Sequence, residues 1–246
     1  MLTMKTFFTV LSVLLCGSVL ATETQKYYEI ENYYYEEPGL MDKTSAPLFF
    51  GGGLRSYVID KKAPSSFFYN MRVGYGQTDY SGTGTTTGDP TYRFQGEGGL
   101  IVQYGTMKVF GGLGYRWLYD DWGGKISSTG GYSYDRRSRY WYLPLGVMVV
   151  DGKASSWKFQ YNYFLEGEQT SYLTDVPGYL NDIVNTQASG SGFEIEYQHD
   201  ESWAIFLRAW NVNDSDVQLI RTTSGNSYGF EPKNETIEIG LTVFFR

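Results

Sequence analysis

The sole histidine, His199, stands in "YQHDES" beside Asp200 and Ser202. A hydroxyl, an imidazole base and a carboxylate to orient it are the residue types of a nucleophilic triad. Adjacent residues of one short turn rarely reach the geometry a triad needs, so a surface turn is the preferred reading. Asp120 and Asp121 offer oxygens of the kind a hard cation takes, but a paired acid in a Gly-rich stretch is more simply solvated. "DRRSR" brings Arg136, Arg137 and Arg139 close together, a set suited to phosphate groups, with a solvated loop edge as an equal alternative. Asn213-Asp214-Ser215 and Asn234-Glu235-Thr236 match the glycosylation acceptor pattern, which is weak by itself. The expectation is therefore no catalytic, cofactor-binding or metal site.

A larger set of charges is spread along the chain at alternate positions. Arg55, Arg72, Arg93, Lys108, Arg116, Lys158 and Arg208 stand against Glu97, Glu166, Glu194, Glu196 and Glu238, with Glu29 and Glu31 joining if their segment is a strand. What positions them is a two-residue period. In "FFYNMRVGYG", Phe67, Tyr69, Met71, Val73 and Tyr75 share one face and Asn70, Arg72, Gly74 and Gly76 the other. "MKVFGGLGYRWLY", the segment from Trp157 to Tyr163, the segment from Trp203 to Arg208 and the final "ETIEIGLTVFFR" follow the same rule. One face is apolar with aromatic ends; the other mixes charges with glycine. A soluble sandwich would place Lys, Glu, Ser and Thr on its wet face, whereas charges among glycines suit a narrow interior. Glycines 51 to 53, 96, 98, 99, 111, 112 and 114 are also read as bends and bulges of curved strands. In such an interior, opposite charges pair because an unpaired buried charge is expensive. A salt-bridged plug is favoured over an ion path, since a small barrel has little room beyond its own side chains.

The first residues read as an export signal. Lys5 precedes the apolar run "FFTVLSVLLCGSVLA", which ends with Val19 and Ala21 at the small-residue positions of a cleavage site, so residues 1–21 are expected to be removed after Ala21. Residues 22–246 are read as one domain, because nothing resembles a linker. The only cysteine, Cys16, lies in the signal, and Leu15 before it argues against lipidation, so disulfides are not expected. A net charge of −7 excludes a nucleic-acid partner. Aromatics at 18%, with 23 Tyr, and 30 Gly exceed ordinary soluble usage. No later stretch approaches the roughly 20 apolar residues of a spanning helix.

Connections alternate in length. "DKKAPSS", "YGT", "DGKASS" and "HDES" are short, whereas "SGTGTTTGDPT" and the segments 120–138, 169–190 and 214–234 are long and polar. Short periplasmic turns opposite long outer loops are the arrangement of bacterial outer-membrane barrels. Nine strands are read near 48–59, 67–79, 92–104, 106–119, 139–150, 156–168, 191–198, 202–213 and 235–246, and parity requires a tenth, for which "KYYEIENYYYEE" is the candidate. The predicted fold is all-β: an antiparallel transmembrane β-barrel of ten strands, with eight as the alternative count. Closing the sheet satisfies every backbone amide without water. Trp117, Tyr140, Trp141, Trp157, Trp203 and Trp210 are assigned to interfacial girdles, the alternative being the core of a sandwich.

With these residues in view the chain resembles the small outer-membrane β-barrel proteins of Gram-negative bacteria, the broad OmpA-like and porin-like group. The resemblance implies an outer-membrane location, contact with membrane lipid and with lipopolysaccharide at Arg136, Arg137 and Arg139, and no cofactor. It also implies recognition by the barrel-assembly machinery of a final strand ending in an aromatic, here Phe245, from which this chain departs in adding Arg246. Enzymes of this membrane, the omptin proteases and the lipid A acylases and deacylases, rely on a histidine near the outer rim or lipid face, whereas His199 falls in a periplasmic turn. The expected function is a non-enzymatic barrel with a structural, adhesive or surface-interaction role toward an extracellular ligand. The alternative is a narrow channel for ions or small solutes, and a rim enzyme acting on lipid A or peptides ranks third.

Overall fold

The two-residue period becomes thirteen strands in a computed structural model that describes residues 24–40, 42–57, 65–151 and 155–245. In chain order they are β1 (Gln25–Glu37), β2 (Asp42–Ser56), β3 (Ser65–Ser81), β4 (Thr85–Tyr104), β5 (Met107–Asp120), β6 (Arg136–Val150), β7 (Ser156–Ser171), β8 (Ile183–Gln187), β9 (Gly190–His199), β10 (Trp203–Val212), β11 (Gln218–Thr222), β12 (Gly225–Gly229) and β13 (Asn234–Phe245). The signal segment with its cleavage near Ala21, and Arg246, lie outside the described residues.

Neighbouring strands pair antiparallel around a ring that β13 closes onto β1, with Lys26 opposite Phe245 and Tyr34 opposite Ile237. β8 and β9 form one wall position, because both pair with β7 in a continuous register, Tyr163 with Ser191 and Gly167 with Gln187. β11 and β12 pair only with each other as a hairpin. The barrel therefore has ten staves, and "KYYEIENYYYEE" is the one that closes it.

Closure inverts the usual burial. Phe67 is 76% exposed and Leu48 54%, while Arg93 and Lys158 are each 1% exposed. A surface of contiguous Leu, Ile, Val and Phe around the whole wall cannot face water. With every interior strand edge paired, this is the architecture of a transmembrane β-barrel. Among the described residues no helix is long and apolar enough to cross a membrane.

At one end, here the turn end, β2 is followed by β3, β4 by β5, β6 by β7 and β9 by β10; the opposite loop end joins β1 to β2 and carries 82–84, 121–135, 172–182 and 213–233. Two loop-end connections are tight. "SGTGTTTGDPT", expected as a long loop, instead extends β3 and β4 beyond the wall and turns at residues 82–84. Its three consecutive threonines favour extended backbone.

Besides a register shift between Thr78 and Tyr80 in the β3–β4 extension, two bulges change the inward and outward alternation of the wall. At Pro47 and Leu48 both side chains face outward where the β2–β3 register breaks, and proline contributes no amide to the ladder there. At Leu165 and Glu166 the β6–β7 register breaks in the same way.

Candidate functional site

Strand parity delivers most of the predicted charges to the lumen. Arg55, Arg72, Arg93, Arg116, Lys158 and Arg208 are buried there with Glu29, Glu31, Glu97, Glu194, Glu196 and Glu238, six cations against six acids. Arg93 places Nη1 2.6 Å from Glu31 Oε1 and 2.8 Å from Glu238 Oε1, and Arg116 Nη2 donates to the same Glu238 oxygen at 2.8 Å. Arg208 reaches Glu29 at 2.6 Å and Glu194 at 3.1 Å, and Lys158 reaches Glu194 at 3.0 Å. Arg55 donates through Nη1 to both oxygens of Glu196, at 2.7 and 2.8 Å. Glu97 accepts from the hydroxyl of Tyr142 at 2.7 Å and from the amides of Gln160 and Gln95 at 2.9 and 3.1 Å. These twelve charges come from nine strands, so they tie together staves far apart in sequence.

Two predicted members stand elsewhere. Glu166 faces outward, opposite Trp141, because the bulge at Leu165 moves it off the inward parity. Lys108 sits half-buried near the turn end, its Nζ donating to the Tyr57 carbonyl at 2.9 Å.

Aromatic rings fill the lumen on either side of the charges. Toward the turn end Tyr57, Phe68, Ile101, Phe110 and Met148 cluster, beside Tyr27, Ala204 and Phe244; toward the loop end Tyr140, Tyr142, Phe164, Trp210 and Val212 cluster, beside Tyr33, Tyr35, Ala46 and Phe49. Each layer has space because glycine lies opposite the ring on a paired strand: Phe49 with Gly76, Phe110 with Gly146, Tyr142 with Gly114, Trp210 with Gly192. A Cβ at any of these glycines would press into the facing ring. Guanidinium groups lie over the rings, Arg55 4.4 Å from the Phe244 centroid, Arg93 5.1 Å from Phe49 and Arg116 5.3 Å from Trp210. Tyr140 and Trp210, assigned to the girdles, are thus lumen residues: Tyr140 adjoins outward Trp141, and Trp210 lies an odd number of residues from outward Trp203 in an unbroken strand. Trp117, Trp141, Trp157 and Trp203 do face outward.

The loop end closes over a second polar group that sequence reasoning missed. Arg136 turns into the mouth, 2.9 Å from Glu37 Oε1, 3.3 Å from Asp120 Oδ2 and 3.9 Å from Glu231 Oε1. Tyr35 and Trp122 flank its guanidinium, each ring centroid 5.0 Å away. The Tyr35 hydroxyl lies 2.7 Å from Glu37 Oε1 and 3.0 Å from Glu231 Oε1, and Gln169 donates to the other Glu231 oxygen. Burial, reinforced by the Glu37 charge, pushes the Glu231 carboxyl up to about 8. Parity along β1 and β5 points to Tyr35, Glu37 and Asp120, but nothing in the periodicity of a long loop marks Glu231.

Arg137 and Arg139 face outward at the loop end of the wall and share Glu168 as an ionic partner, whereas Arg136 turns inward and does not join them as a third outward cation. Asp120 is held by Arg136 and by the Thr91 hydroxyl at 2.9 Å. At the turn end the His199 ring packs 5.1 Å from the Trp203 ring, while the Ser202 hydroxyl donates to the His199 carbonyl at 3.2 Å, not to the imidazole. The three residues of "HDES" do not assemble a triad. Phe245 stacks on Tyr28 across the closing seam at 4.7 Å. A groove of about 770 Å³ lies on the outer wall, lined by Ile30, Leu48, Ile195, Ile205, Leu207 and Leu241 among others, on the lipid-facing side.

No protein-family model matches the sequence, and no curated protein matches it significantly. Among solved structures, the chain is similar to the β domain of the Bordetella autotransporter BrkA at 10% identity and a TM-score of 0.46, covering 90% of this chain and 99% of that one. It is similar to the Pseudomonas putida toluene transporter TodX at 8% identity and a TM-score of 0.40, covering 95% and 93%. Escherichia coli outer membrane phospholipase A aligns at 8% identity and a TM-score of 0.26, covering 92% and 98%. These likenesses extend no further than the barrel form.

Proposed function

We propose that this chain is an integral protein of a bacterial outer membrane with a sealed lumen and a non-enzymatic role, offering its loop end to the outside as a surface for structural or adhesive contact. The observation that carries this reading is the balanced lumen: six buried cations pair with five of the six buried acids, and the sixth, Glu97, is held by Tyr142, Gln95 and Gln160, between two aromatic layers. Charges already neutralised by covalently tethered partners have little attraction left for a passing ion. The long connections 121–135, 172–182 and 213–233 supply polar side chains at one end only. Arg137 and Arg139 stand at the wall just below them, where lipopolysaccharide phosphates would lie. Phe245 on the closing seam suits a role in recognition by the assembly machinery.

A narrow conducting path is the second reading, favoured by one feature. Arg93 Nε, Arg116 Nη1, Glu97 Oε2 and Gln160 Oε1 are buried and lack a hydrogen-bond partner within the protein, and groups of this kind are ordinarily satisfied by water. A string of waters through both aromatic layers would be required for conduction.

Orientation is tested by single-cysteine labelling, which is clean because Cys16 lies in the expected signal. On intact cells an impermeant maleimide should modify Ser128→Cys and Thr223→Cys at the loop end and spare Thr106→Cys at the turn end until the membrane is permeabilised. The opposite pattern would overturn the outward placement of the loops.

A further inference from the structure

The mouth group contains more acid than its one cation can neutralise. Glu37, Asp120 and Glu231 all surround Arg136, and Glu231 comes from the 213–233 loop while the others come from the wall. The groups facing Glu231 are Tyr35 and Glu37 from β1, Asp120 from β5, Arg136 and Tyr140 from β6, Gln169 from β7, and Tyr134 from the 121–135 connection. The Tyr35 hydroxyl has one proton yet stands within hydrogen-bond distance of both Glu37 and Glu231. If it donates to Glu37, the contact with Glu231 needs a second proton, donated by the Glu231 carboxyl to the phenol oxygen. The loop is also fastened to β8 and the 172–182 connection: Asp216 and Thr186 exchange bonds, Asn185 donates to the Asp216 and Gly229 carbonyls, Leu180 donates to the Arg221 carbonyl and Thr223 to that of Gly178, and none of these bonds reaches β1 or β6.

We propose that the limb of the 213–233 loop bearing Glu231 is a proton-held lid on the loop-end mouth, seated while the Glu231, Tyr35 and Glu37 contact retains its proton and released when that proton is lost. Release moves Glu231 from a buried, acid-rich site into water, where a carboxyl has an ordinary pKa of about 4.3. In the seated state the value is about 8. The seated form binds the proton more tightly, so the advantage it gains is fully present below the ordinary carboxyl value. That advantage falls as pH rises and is gone above about 8. Between those limits the ratio of released to seated lid grows by up to about tenfold per pH unit.

The test is a pair of spin labels on Phe230→Cys, exposed beside Glu231, and Thr87→Cys, exposed on β4 across the mouth, with the distance distribution read at pH 5 and pH 9 in lipid vesicles. The lid predicts a single narrow distance at pH 5 and a broader, longer distribution at pH 9. Adding Glu231→Gln, whose neutral amide can still donate to the Tyr35 oxygen, should keep the distribution narrow at both values. Identical distributions for the parent at pH 5 and pH 9 would overturn the proposal, and so would a Gln variant that broadens as the parent does.

Discussion

Glu238 shows what a single lumen residue does. One carboxylate oxygen sits 2.8 Å from both Arg93 and Arg116, and the group is 1% exposed. Arg93 has a second acid in Glu31; for Arg116 Glu238 is the acid at hand. Glu238→Leu should therefore destabilise the barrel by roughly 3–5 kcal/mol, the usual cost of stranding a buried charge, measured by urea unfolding from lipid vesicles. Combining it with Arg116→Leu should recover part of that loss, because removing both partners leaves less charge stranded. Equal or greater loss in the double variant would show that the two groups do not act as a pair. At this scale the sequence was informative wherever period two ran unbroken: Arg72, Arg93, Arg116, Glu194, Glu196, Arg208 and Glu238 all lie on the face expected. It misplaced Glu166, because a one-residue bulge at Leu165 reverses parity and leaves no compositional mark.

At the level of the strand, glycine and aromatic residues work as cross-strand pairs. Tyr142 lies opposite Gly114, and a Cβ on Gly114 would press into the ring. The ring in turn donates its hydroxyl to Glu97 at 2.7 Å. Gly114→Leu should force Tyr142 out of place and cost about 1–3 kcal/mol, the range for overpacking a filled interior; Gly88→Ala, whose site has open space around it but a φ of +67°, is not an equivalent control, whereas Gly39→Ala meets no atom within 4 Å and should be near neutral. Thermal unfolding followed by heat-modified gel mobility separates the two. Composition announced the abundance of glycine and tyrosine, and reading those glycines as bends captured only part of their use. Which ring each one admits depends on register, and register becomes visible only when strands are paired. The same limit sent Tyr140 and Trp210 to the girdles, since an aromatic near a strand end looks alike whether it faces lipid or lumen.

For the molecule as a whole, an apolar outer wall, a neutralised interior and two aromatic layers describe a membrane-spanning barrel that is filled rather than open. Alternation along ten segments and a parity requirement were enough to anticipate the ten-strand barrel, including its closing strand from Gln25 to Glu37, but not the aromatic layers inside it. The lid over the mouth was not legible, because Glu231 meets Tyr35 across 196 residues of sequence and within an aperiodic loop. Whether the lumen is sealed is decided by the ionic conductance of the folded mature chain in a planar bilayer. A sealed lumen gives no current steps after verified insertion. Reproducible steps whose size changes with Arg72→Gln or Glu196→Gln would contradict it and make the paired charges the lining of a path.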